Sequence, residues 1–85
     1  MIRAVYDEFQ SPMVQVSNLI HRLKMLNGIE AELLMVGENE KTLISKFYAD
    51  SAGKNNGVDL QEFIEGKILG LEIIETLGES DFYVL

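Results

Sequence analysis

The 85-residue chain contains no cysteine. That excludes disulfide staples and thiolate metal sites, and it suits a reducing compartment, so a cytoplasmic location is expected. Histidine occurs once, at His21, with no Ser or Cys partner set by the local sequence. Little nucleophilic or acid–base chemistry is therefore on offer, and the sequence predicts neither enzymatic activity nor a cofactor. No apolar run approaches the roughly 20 residues of a membrane span, and Met1-Ile2-Arg3-Ala4 leads into alternating residues rather than a signal-like apolar stretch. Phosphate-cradling loops are lacking too: Gly53-Lys54 has neither the Walker spacing nor its Ser/Thr follower. Basic charge is scarce. Seven Lys and Arg stand against 14 Asp and Glu, for a formal charge of −7. Such a surface disfavours nucleic-acid backbones and anionic membranes and permits a basic protein partner. The acids are spread along the chain without a block of like charge, as expected of a solvated surface.

What is there suffices for one domain, residues 1–85, with a small core: 47% of the residues are hydrophobic. The segment Ser11 to Gly28 marks both of its own ends. Ser11 is a helix cap, Pro12 takes the first helical position, and Asn27-Gly28 is the stop. Between them Val16, Leu19, Ile20, Leu23 and Leu26 recur at three- and four-residue steps, the mark of a buried helical face. Ile2–Phe9 before it is predicted as a strand. Ile29–Val36 after it alternates Ile29, Ala31, Leu33 and Met35 with Glu30, Glu32, Leu34 and Val36, which predicts a strand with a buried face.

Gly37–Glu40 is predicted as a turn. Lys41–Ala49 is ambiguous. As a strand it would pair with Ile29–Val36 in a hairpin; as a helix it would bring Leu43, Ile44 and Phe47 together. Its β-branched and aromatic residues favour the strand. Ser51–Gly57 is a loop rich in Gly, Asn and Ser. Asp59 and Glu62 resemble a capping box, opening a helix with Leu60, Phe63, Ile64 and Ile68 on its apolar face and Gly70 as its end. Leu71–Leu77 is then a strand and Phe82–Leu85 an apolar tail. The rival is one helix over Leu60–Leu77, interrupted by two glycines. The expected fold is α+β: a small, mostly antiparallel sheet with helices on one face, in the order β-α-β-(β)-α-β.

Two places invite a functional reading. Val14, Asn18, His21 and Met25 share one stripe of the first helix, opposite its core face. Val14 and Met25 are apolar where water is expected, which points to a partner-binding stripe; the alternative is ordinary scattered apolar surface. The second place is the stretch from Asp50 to Glu62, whose end resembles that of an EF-hand loop. Counting back from Glu62 as the twelfth position puts Ser51 first and Gly53 third, while Asp50 and Gly57 each miss their places by one residue. The charge that calcium needs early in the loop is missing, so a polar loop entering a capped helix is favoured.

The order and size of the elements resemble the histidine phosphocarrier protein (HPr) family. Phe9-Gln10-Ser11-Pro12 occupies the place of that family's active-site turn. The helix, the glycine and Ile29–Val36 look like its first helix and second strand, and Leu71–Asp81 is similar to its fourth strand and the acidic turn after it. The phospho-accepting histidine is absent, with Gln10 nearest. The arginine before the proline is missing, no serine opens the second helix, and there is no room for a third. The resemblance thus implies protein binding without phosphotransfer, through the first helix. The expected function is non-catalytic protein binding, regulatory or inhibitory, with a divergent EF-hand-like calcium module as the alternative.

Overall fold

The computed structural model describes residues 2–51 and 60–85. The elements run β1 (Ile2–Arg3), α1 (Pro12–Asn27), β2 (Leu33–Val36), α2 (Glu38–Ser51), α3 (Leu60–Ile64), β3 (Lys67–Ile68), β4 (Leu71–Glu75) and β5 (Phe82–Val84). They build one five-stranded sheet, ordered β1-β5-β2-β4-β3. β5 is antiparallel to both β1 and β2, β3 is antiparallel to β4, and β2 and β4 are parallel. The α+β class, the mainly antiparallel pairing and the helical layer on one face are as the sequence predicts.

α1 forms where its signals place it. Ser11 Oγ accepts from Met13 N, Pro12 occupies the first turn, and Gly28 closes the helix at φ +68° with its N–H on Lys24 O. That left-handed conformation is the one glycine adopts without a Cβ penalty. Val16, Leu19 and Leu23 are buried and Ile20 half-buried. Leu26 departs from the expected core face: it is 70% exposed, because the buried layer ends one turn earlier, at Leu23.

Across the sheet the pleat decides which side chains meet the helices. Leu34 and Val36 of β2 pair with Val84 and Phe82 of β5, and all four are buried. Ile44 and Tyr48 of α2, Ile68 of β3 and Leu71 of β4 complete the core. The buried face of β2 is thus Leu34/Val36, while Leu33 and Met35 face the other side, half-buried. Tyr6 packs edge-on against Phe82 at 5.1 Å, and burial pushes its phenol pKa up to about 12.

Several elements differ from expectation. Lys41–Ala49 is helix, part of α2, so the predicted hairpin with Ile29–Val36 does not form and the bracketed strand of the expected order is absent there. Its intrinsic strand preference loses to packing: Glu40, Ile44 and Tyr48, four apart, point to the interior, and Tyr48 stacks on Phe63 at 4.2 Å. Gly37–Glu40 is not a free turn, since α2 begins at Glu38. The predicted helix ending at Gly70 stops at Ile64, and Lys67–Leu71 turns instead as a hairpin whose central Leu69 and Gly70 have φ of 50° and 81°. Positive φ at both positions is what a type I′ turn requires. One helix over Leu60–Leu77 is excluded with it. Phe82–Val84 of the predicted apolar tail is an interior strand, and the strands predicted over Ile2–Phe9, Ile29–Val36 and Leu71–Leu77 shorten to Ile2–Arg3, Leu33–Val36 and Leu71–Glu75, as pairing partners run out.

Candidate functional site

The stripe Val14, Asn18, His21 and Met25 lies on α1, and all four side chains are exposed; Val14 is 53% and Met25 69% accessible. The opposite face of the helix is the buried one, so the stripe looks directly away from the sheet. The sequence misses its surroundings. Leu26 and Ile29, 70% and 49% exposed, extend the apolar surface past the helix end. At the other end Val5 and Phe9 are 94% and 90% exposed.

Those N-terminal residues are held by Gln15, a buried polar side chain with no signal in the periodicity. Its Oε1 accepts from Asp7 N at 2.7 Å, and its Nε2 donates to Asp7 O at 2.7 Å and Gln10 O at 3.2 Å. A single amide thus satisfies three backbone groups of the segment between β1 and α1. An open groove of about 260 Å3 runs beside this anchor. Asn18 lines it and so joins it to the stripe, with Val5, Asp7, Gln10 and Arg22 around it.

A second polar cluster sits at the start of α2. The amides of Glu38 and Asn39 donate to Gly78 O and Glu79 O. The buried Glu40 carboxylate accepts from Ser80 Oγ at 2.6 Å and from Asp81 N at 3.0 Å. Asp81 in turn accepts from Thr76 Oγ1 and Arg3 Nη1, both at 2.7 Å, and these hydrogen bonds, Thr76 first, hold its pKa below the usual carboxylate range. Every member has a structural partner, so this cluster clamps the loop after β4 onto α2.

Of the calcium-like stretch, residues 52–59 lie outside the described residues, Asp59 of the predicted capping box among them. Glu62 is described, and it works within its own chain: Oε1 accepts from Leu69 N at 2.8 Å and Oε2 from Gly70 N at 2.7 Å. Both oxygens that a bidentate calcium ligand would supply thus hold the β3–β4 turn. The pairs Glu30/Glu32 and Glu72/Glu75 are exposed. Among the described residues no three His, Asp or Glu side chains converge on a metal-sized site, and no helix is long and apolar enough to cross a membrane. No protein-family model, curated protein or solved structure matches this chain.

Proposed function

We propose that this domain is a non-catalytic protein-binding module of the cytoplasm, regulatory or inhibitory, which meets its partner through the outer face of α1. One observation carries the reading: Val14, Asn18, His21 and Met25 form a continuous exposed stripe, with Met25 69% accessible, on a helix whose other face is committed to the core. Exposed apolar side chains around polar ones mark contact surfaces, and a few anchors supply most of the energy there. Met25 is the anchor, because its flexible thioether adapts to an irregular surface.

The test begins with a pull-down that identifies a bound protein, followed by affinity measurements on Met25→Asp and Val14→Asp. Met25→Asp is expected to weaken binding by about tenfold or more, because a charge desolvated at an interface is costly. Its circular dichroism stays native, since the free side chain is solvated. Unchanged affinity in both variants removes this face and leaves the acidic Glu72/Glu75 region as the next candidate.

A further inference from the structure

The helix that carries the stripe is charged oppositely to the rest of the chain. α1 holds two of the chain's 7 Lys and Arg, Arg22 and Lys24, and none of its 14 acids, so the rest of the chain carries 5 bases against those 14 acids. Helix stability accounts for only part of the pattern: Lys24 stands in the last turn, where the helix dipole favours a cation. The helix dipole favours a carboxylate in the first turn, and none stands there. At about 100° per residue, Arg22 and Lys24 fall on opposite flanks of the Val14–Met25 stripe. Lys24 is engaged by Glu30 at 2.8 Å. Arg22 forms no ion pair among the described residues, and it borders the groove that Asn18 shares with the stripe. Asp7 also lines that groove, with its Oδ1 taken by Phe9 N at 2.9 Å.

Resting on the protein-binding reading of α1, we infer that the partner presents an acidic amphipathic segment: apolar side chains on Val14 and Met25, and a carboxylate on Arg22 at the mouth of the groove. The net charge of −7 does not forbid this. Screening at physiological salt acts over about 8 Å. The molecule is 23 Å across its shortest dimension, so acids on the far side do not govern a segment seated on α1. A basic, apolar helix face also suits anionic lipid. A membrane is a broad surface, however, and would have to approach the acidic body as well as the helix.

A random displayed-peptide library, selected on the whole folded chain, tests the inference. Enriched peptides are expected to combine Asp or Glu with Leu, Ile, Phe or Met. A synthetic peptide of that kind should lose about tenfold or more in affinity with Arg22→Glu, and much less with Arg22→Lys. Met25→Asp should abolish its binding. Thermal melts verify that each variant is folded. Enrichment of basic or uncharged peptides overturns the acidic partner. So does loss of binding with Met25→Asp but not with Arg22→Glu, which leaves the α1 interface standing. Binding untouched by both Met25→Asp and Val14→Asp removes the interface itself. Sedimentation with phosphatidylglycerol vesicles that Arg22→Glu abolishes, without any acidic peptide selected, replaces the protein partner by a membrane.

Discussion

The Asp81 carboxylate accepts from Thr76 Oγ1 and Arg3 Nη1 while its backbone N–H reaches Glu40, so one residue joins β1, the loop after β4 and α2. Because these bonds favour the ionised form, its pKa is lowered on folding. The stability it contributes is fully present above the ordinary aspartate value of about 3.9 and is lost as pH falls through the lowered folded value. Acid unfolding of Asp81→Asn should accordingly show a weaker dependence on pH than the parent below about pH 4, as urea titrations at stepped pH would report. On α1, Leu23→Ala should cost about 2–5 kcal/mol, as buried truncations do, and Val14→Ala far less. Equal losses in chemical denaturation would mean that the helix is turned the other way.

Among the elements, α1 was the most legible, because its cap, its proline and its glycine are local signals that need no tertiary partner. The stripe was legible for the same reason: a face opposite a strong apolar face must look outward. Gln15 was not. A glutamine in an apolar helix face carries no periodic mark, and only the Asp7–Gln10 segment folded over it gives its amide a role. α2 is not legible locally, because Thr42, Ile44, Phe47 and Tyr48 suit a strand, and the decisive contacts, Tyr48 on Phe63 and Glu40 on Ser80, come from distant parts of the chain. Gly37, just before α2, has a packing reason to be glycine: a Cβ there would lie 2.6 Å from Asp81 N and 2.9 Å from the Glu79 carbonyl carbon. Gly37→Ala should therefore destabilise the domain by about 1–3 kcal/mol, since backbone atoms have to move. A thermal melt that matches the parent would refute that crowding.

For the molecule as a whole, the last residues matter more than their position suggests. β5 is the sole sheet neighbour of β1 and one of two neighbours of β2, and Phe82 and Val84 are both buried. Deleting residues 82–85 should abolish cooperative unfolding, detected as loss of the dispersed amide spectrum and of a two-state melt. A truncated chain with native dispersion would show that the helical layer and β2–β4 suffice alone. The helices cover only one side of this sheet. On the other side Arg3, Tyr83, Met35 and Ile74 form one cross-strand row, with the Arg3 guanidinium 4.7 Å from the centre of the Tyr83 ring.

Several features follow from the sequence by itself. They are the mixed α+β class, the first helix with both its ends, the short-range strand signals around it, the acidic charge and the exposed stripe. Each is written in neighbouring residues: a capping oxygen, a positive φ at glycine, a period of two or between three and four. The tertiary structure alone decided that Lys41–Ala49 is helical, that Leu34 and Val36 rather than Leu33 and Met35 face the core, and that Phe82–Val84 form an interior strand of the sheet. The reason is common to all three. A strand gains its hydrogen bonds, and a short apolar run its burial, from partners far away in sequence, and no local pattern records which partner arrives.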